Sequence, residues 1–278
     1  MALIITKADG TRQEFAVGKL VRSLVRSGAS EAAAQGVAAR VEKELQSGAT
    51  TRDIYRRAFS YLRQAHPVAA TARYSLKRAV FEFGPSGFPF EKYLAEIFRA
   101  QGYSASTDRI IRGRCVEHEV DVVMEKTGEK PERVYVEAKF HHGLGFKTDE
   151  QTSLYVQARV EDIVEGLPPE EAAFSSGMLA TNTKFTTRAI QYANCRKLRL
   201  LAWDYPEHGN LHDLIEQTKQ YPITILESLS GAQKQKLLDG GVVLCRNVLE
   251  RPELLRHLDI GGADVKRAQT EAAGLCSL

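Results

Sequence analysis

The sequence predicts a multidomain α+β protein: a helical N-terminal unit, an α/β core on a mixed sheet, and a small helical C-terminal module. Three observations carry this expectation. Apolar residues recur at helical spacing through most of residues 17–83. Helix and strand patterns alternate from Phe90 to Trp203, the order of a mixed sheet flanked by helices. Gly84-Pro85-Ser86-Gly87 breaks the pattern between these regions, and a shorter, mostly helical stretch follows Tyr221. The expected modules are residues 1–85, 86–220 and 221–278.

Each element has a local reason. Leu3 to Thr6 reads as a strand and Ala8-Asp9-Gly10 as a turn. Val17, Leu20, Val21, Leu24 and Val25 mark a first helix. Ser30-Glu31 opens a second, with Val37, Val41 and Leu45 on one face and Gly48 at its end. Thr50-Thr51-Arg52-Asp53 resembles a cap before a third helix with Ile54, Ala58, Tyr61 and Leu62. A fourth spans Val68 to Phe83. In the core, a helix is expected from Phe90 to Gln101, then strands at Arg109 to Arg112, Glu117 to Met124 and Arg133 to Phe140. A helix from Asp149 to Glu165, a strand from Met178 to Thr181, a helix from Thr186 to Ala193 and a strand from Leu198 to Trp203 complete it. The last module reads as a helix ending near Leu238, the turn Gly240-Gly241, and further helices to Leu275.

Composition excludes several classes. At 278 residues, 43% hydrophobic and 26% charged, the chain has ordinary globular content. No run reaches the roughly 18 apolar residues of a membrane span, so no membrane partner is expected. The first residues lack a basic segment before their apolar stretch, so no signal peptide is expected. Cys115, Cys195, Cys245 and Cys276 are far apart and form no C-x-x-C pair; this argues against a zinc site or disulfide framework and points to a reducing cytoplasm. A net charge of +3 is too small to decide a partner. No Walker-type Gly-rich loop is present, so ATP hydrolysis as an energy source is not expected.

The chemistry concentrates between Glu119 and Lys139. Charged side chains in apolar strands are costly unless something compensates them. In the strand from Arg133 to Phe140, Val134, Val136, Ala138 and Phe140 face one way and Arg133, Tyr135, Glu137 and Lys139 the other. Glu137 and Lys139 thus share a face, about 7 Å apart. The turn from Lys126 to Pro131 permits a hairpin that brings Asp121 beside Glu137. Phosphodiester hydrolysis needs an activated water and neutralised phosphate charge. Magnesium, or manganese, suits both tasks and prefers oxygen ligands. Asp121, Glu137, the carbonyl of Ala138 and an acid on the preceding helix, Glu91 or Glu96, are the candidate ligands, with Lys139 to orient or deprotonate water. Glu119 shares the face of Asp121, as a supporting acid or a surface group; His141-His142 read as solvated residues at the strand end, with extra phosphate or metal contacts as the alternative.

Asp121 followed by Glu137-Ala138-Lys139 resembles the PD-(D/E)xK nuclease signature, with Val120 in place of the proline. The helix from Phe90-Glu91 to Phe98, ending in Gly102-Tyr103, and the stretch Thr181-Asn182-Thr183-Lys184-Phe185-Thr186-Thr187-Arg188-Ala189-Ile190 resemble Mrr-like restriction endonucleases. The resemblance covers about Phe88 to Leu214 and implies a restriction-endonuclease-like fold, DNA as partner and Glu91 rather than Glu96 in the active site. Gln151-x-x-x-Tyr155 is similar to a motif of RecB-type nucleases.

The N-terminal stretch Ile5-Thr6-Lys7-Ala8-Asp9-Gly10, then Phe15-Ala16-Val17-Gly18-Lys19-Leu20, resembles the opening of an ATP-cone domain. Thr50 to Tyr55 and Ala72 to Ala79 match its later helices. The resemblance implies ATP or dATP as an effector, with Lys7 and Lys19 on phosphates, Asp9 and Gly10 shaping the turn, and Tyr74 and Lys77 closing the site. Ala8 stands where the family usually has Arg, which removes a bidentate phosphate contact. The C-terminal helix, Gly turn and helix are similar in layout to helix-hairpin-helix modules, with Lys234, Lys236, Arg246 and Lys266 as candidate DNA contacts.

Two functions follow as expectations. One is a magnesium-dependent DNA endonuclease regulated by nucleotide, acting as a homo-oligomer. The other is a non-cleaving, nucleotide-responsive DNA-binding regulator.

Overall fold

The computed structural model describes residues 3–65, 68–256, 258 and 260–276. An antiparallel hairpin of β1 (Ile4–Thr6) and β2 (Arg12–Glu14) opens the chain. Asp9 closes its turn by accepting hydrogen bonds from the Thr11 amide (3.1 Å) and hydroxyl (2.6 Å). Gly10 follows at φ +80°, a left-handed conformation that glycine adopts without penalty. Strand β2 is too short to stand out as a sequence pattern and was not anticipated from it.

Helices α1 (Val17–Arg26), α2 (Glu31–Glu44), α3 (Thr51–Ala65) and α4 (Val68–Phe81) follow. Ser30 caps α2 through the Ala33 amide. Thr50 and Asp53 cap α3 reciprocally, each side chain accepting from the other's amide. Ile5, Leu20, Leu24, Val41, Ala58 and Leu62 form the core of this unit. Helix α4 instead sends Leu76, Ala79 and Val80 into a larger core.

That larger core lies on one face of a five-stranded sheet. Helix α5 (Phe88–Ala100) precedes β3 (Ser104–Arg112), β4 (Glu117–Lys126) and β5 (Glu132–Lys139). After β6 (Lys147–Thr148) come α6 (Glu150–Glu165), α7 (Pro169–Ala172), β7 (Ser175–Thr181), β8 (Lys184–Phe185), α8 (Thr187–Arg196), β9 (Arg199–Leu201) and α9 (Leu211–Thr218). The order is β3-β4-β5-β7-β9, with β3, β4 and β5 antiparallel and β5, β7 and β9 parallel. Strands β6 and β8 pair separately. The alternation expected of β5 holds: Val134 and Val136 face α5, while Tyr135 faces the second core with Val156, Val160 and Ile163 of α6. Helix α9 escaped sequence reading because two turns give too short an apolar period. The strand expected to reach Trp203 stops at Leu201, where a turn carries Trp203 away from the sheet.

The C-terminal segment has a 3₁₀ turn (Ile223–Ile225), then α10 (Gly231–Asp239), α11 (Asn247–Glu250), α12 (Glu253–Arg256) and α13 (Gly262–Cys276). Its Leu237, Val248, Ala268 and Leu275 belong to the same apolar cluster as Phe83 and Tyr93. The Tyr93 hydroxyl donates to the Gln220 carbonyl at 2.7 Å, and the Thr224 hydroxyl to that of Ala79 at 2.6 Å. Residues on both sides of 85/86 and of 220/221 therefore share one core. Each large side chain buried there is worth about 1.5–3 kcal/mol. A chain ending at residue 220 is expected to aggregate and to lose cooperative unfolding, as read by sedimentation and thermal melting; a soluble, cooperatively melting truncation would contradict the shared core.

Candidate active site

The site forms where β4 and β5 leave the sheet. Their pairing runs from Lys126↔Glu132 to Val122↔Val136, so the next step sets Asp121 opposite Glu137. Facing residues have Cβ atoms roughly 4.5–5.5 Å apart. Asp121 Oδ2 accepts a hydrogen bond from the Ala138 amide at 2.6 Å, which fixes the carboxylate across the strand pair. Glu137 is bound through Oε2 by the guanidinium of Arg159 on α6. Lys139, two residues on, is exposed at the end of β5.

Glu91 joins from the first turn of α5, a position that normally favours a carboxylate. Here burial, followed by the charges of Asp121, Asp108, Glu137 and Glu119, overrides the helix and pushes its pKa up to about 7. Burial also raises Asp121, against the opposing pull of the Ala138 amide and Arg159. It raises Glu137 as well, with Asp121 adding and Arg159 opposing. These mutual effects place Glu91, Asp121 and Glu137 in one electrostatic neighbourhood. Glu96, the alternative, forms a 2.6 Å surface pair with Arg99 instead.

Among the described residues, no three His, Cys, Asp or Glu side chains already converge as a metal cage. The donor chemistry nonetheless fits a hard divalent ion: oxygen ligands only, and acids that raise one another's proton affinity until a cation relieves them. Asp121 Oδ1 and Glu137 Oε1 lie outside the hydrogen bonds above, and Arg159 supplies the positive charge meanwhile.

Several supporting residues went unassigned in the sequence. Asn182, fully buried, accepts from the His141 amide and donates to the His141 carbonyl, both at 2.8 Å, and so clamps the backbone beyond Lys139. Thr148 hydrogen-bonds the His141 ring at 2.9 Å. Asp108, at φ +55°, adds another acid. Arg159 is the residue most nearly legible: Gln151, Tyr155 and Arg159 recur every four positions on one helical face. Its guanidinium lies 4.8 Å from the Tyr155 ring centroid and donates to that hydroxyl. His142 is exposed and meets Phe140 edge-on.

The restriction endonuclease family (Mrr_cat) matches residues 85–207, and the ATP cone domain matches residues 3–80. An uncharacterized protein of Archaeoglobus fulgidus is 33% identical over 180 residues, 64% of this chain and 97% of its own length. The chain carries a restriction endonuclease domain of the Mrr_cat family behind an ATP cone domain. The AF1548-like C-terminal family matches residues 221–276. A crystal structure of the protein of unknown function AF1548 is 31% identical at a TM-score of 0.56, over 69% of this chain and 99% of its own. MspJI restriction endonuclease, in complex with a 27-mer oligonucleotide, aligns at 16% identity and a TM-score of 0.32, over 54% of this chain and 35% of its own.

The expected nucleotide residues of the ATP cone sit on the hairpin turn, α1 and α4. Lys7, Asp9 and Gly10 sit at the hairpin turn, and Lys19 is exposed on α1. Tyr74 stacks on Tyr55 at 5.2 Å. Lys77 lies 5.5 Å from the Trp203 ring centroid, and burial pulls its pKa down to about 8 against the opposing charge of Asp204. No hydrogen bond or ion pair among the described residues joins Tyr74 or Lys77 to Lys7 or Lys19. In the C-terminal segment, Lys234 pairs with Glu82 at 3.2 Å and Arg246 donates to the Lys219 carbonyl, while Lys266 is exposed. Among the described residues, no helix is long and apolar enough to cross a membrane.

The raised pKa of Glu91 has a definite sign. Between its ordinary 4.5 and about 7, the folded protein keeps a proton that the unfolded chain releases. Stability is therefore expected to fall as pH rises through that window. Glu91→Gln should flatten the slope in urea titrations; an unchanged slope would show that Glu91 is not the coupled acid.

Proposed function

We propose that this protein is a divalent-metal-dependent endodeoxyribonuclease, with magnesium or manganese as cofactor and DNA as substrate. The observation that supports this best is the gathering of Glu91, Asp121 and Glu137 about the end of β5, with Lys139 next along the strand. Asp121, Glu137, the carbonyl of Ala138 and Glu91 would hold the ion. When bound, the ion supplies charge to the scissile phosphate and acidifies a water. The chain's own groups do the rest. The Ala138 amide and Arg159 orient the two strand carboxylates. Lys139 donates hydrogen bonds to the attacking water or the phosphate and stabilises the charge that develops there. Glu91, whose proton affinity is raised by burial and by the neighbouring carboxylates, would give up its proton when the ion binds. One such site cuts one strand, so double-strand cleavage calls for a homo-oligomer. Free thiols at all four cysteines accord with a cytoplasmic location.

The N-terminal cone is proposed to bind ATP or dATP as an effector. Lys7 and Lys19 would take the phosphates as point charges, Asp9 and Gly10 would hold the turn beneath them, and Tyr74 and Lys77 would close over the nucleotide. A second reading, a non-cleaving nucleotide-responsive DNA-binding regulator, is favoured by one observation: Arg159 forms an ion pair with Glu137, one of the two strand carboxylates.

A plasmid cleavage assay separates the two. Wild-type protein with magnesium should nick or linearise the plasmid, and EDTA should stop it. Lys139→Ala and Glu137→Gln should each lower the rate about a hundred-fold or more. Identical behaviour of wild type and Lys139→Ala would leave the regulator. In the same assay ATP or dATP should change the rate of wild type, and a Lys7→Ala/Lys19→Ala double variant should not respond; a rate indifferent to nucleotide in wild type would remove the effector role.

A further inference from the structure

Nine large apolar side chains among the described residues are notably exposed, and four of them fall in residues 144–155. They are Leu144 (54%), Phe146 (63%), Leu154 (48%) and Tyr155 (58%). Single exposed apolar residues are ordinary, but a group of them marks a contact surface. This group flanks the strand that carries Glu137 and Lys139.

The loop bearing Phe146 is held firmly. Phe146 stacks nearly parallel on His141, with ring centroids 5.9 Å apart. His141 is itself fixed by Asn182 and Thr148. A Cβ at Gly143 would come within 2.9 Å of the Phe146 ring, and one at Gly145 within 2.8 Å of the Ala8 carbonyl oxygen. The loop is thus pressed between its own aromatic ring and the N-terminal hairpin, and only glycine permits both approaches. On the other side, Tyr155 is held by Arg159, which in turn grips Glu137. Both rings are anchored to the candidate site, yet present their outer surfaces to solvent.

Cations are interleaved with these rings. Lys139 and Lys147 are exposed and make no ion pair among the described residues. Lys147 stands in register with Lys184 across the β6–β8 pair. Flat apolar rings alternating with positive charge suit a nucleic-acid strand whose bases are unpaired, since every base offers a face to stack and every phosphate a charge. A paired, stacked duplex keeps its base faces covered and gains nothing from the rings.

We propose that Phe146 and Tyr155, with Leu144 as an apolar flank, form a stacking rim that receives unpaired bases of DNA beside the candidate site, so that the preferred substrate carries a gap, flap or other unpaired segment. This deepens the nuclease reading above and rests on its assignment of DNA as partner.

The test is a binding titration in EDTA, where nothing is cut. The DNA duplex carries a short unpaired gap containing 2-aminopurine, with a continuous duplex alongside. Wild type should bind the gapped DNA about ten-fold tighter and quench the 2-aminopurine on binding. Phe146→Ala and Tyr155→Ala should each lose most of that preference, while Phe146→Trp retains it. Phe146 is exposed, so thermal melting of Phe146→Ala should match wild type, and Phe146→Trp keeps the test valid if it does not. Equal affinity for both DNAs in wild type, or a preference unmoved in both alanine variants, overturns the proposal. So does a shift from oligomer to monomer in the alanine variants, which would make the rim a contact between copies of this chain. If the preference and quenching hold but no DNA is cut when magnesium is restored, the nuclease reading fails and the rim stands. Cleavage without the preference has the reverse meaning.

Discussion

Everything at the candidate site follows from like charge brought close. Asp121 and Glu137 face each other across two antiparallel strands, and Glu91 approaches from the start of α5. Partly buried carboxylates so arranged resist ionising together. The fold answers with two fixed partners, the Ala138 amide for Asp121 and the Arg159 guanidinium for Glu137. Carboxylates gathered this closely repel one another, and Arg159 offsets part of that repulsion. The same residue orients Tyr155, so the electrostatic solution also shapes the outer wall of the site.

The second constraint is the strand end itself. A strand can hold reactive groups in register only while its backbone stays put, and β5 ends at Lys139. Asn182 prolongs that order by bonding both main-chain groups of His141 from just beyond the end of the neighbouring strand β7. Buried and fully satisfied amides of this kind are rigid, because moving them would leave polar groups unpaired. The loop that follows is then pinned by the N-terminal hairpin at Gly145. The ATP cone therefore touches the chain only a few residues beyond the candidate site.

The three family segments are not three independent cores. Helix α4 falls within the ATP-cone match, yet Leu76 and Val80 pack with α5 and the sheet. The C-terminal segment closes the same cluster through Val248 and Leu275. A nucleotide effect on α4 would be felt directly by the restriction-endonuclease-like core, since close-packed interiors transmit small displacements.

By itself, the sequence determined the elements whose pattern is long enough to read. The alternation of Val134, Tyr135 and Val136, the helical spacing of α1 to α6, and the acid and amine positions of Glu137 and Lys139 are local periodicities, fixed by backbone geometry whatever the surroundings. Short pieces escaped it: β2, β6, β8 and α9 are too brief to repeat a pattern. The tertiary structure alone decided which acids meet and what answers their charge. Arg159, Asp108 and Asn182 lie 22, 29 and 45 residues from Glu137 in sequence, and only the strand order and the packing of α6 bring Arg159 to Glu137, Asp108 near Glu91 and Asp121, and Asn182 to His141. Charge balance and backbone clamping are properties of neighbours in space, and a linear pattern carries no record of those.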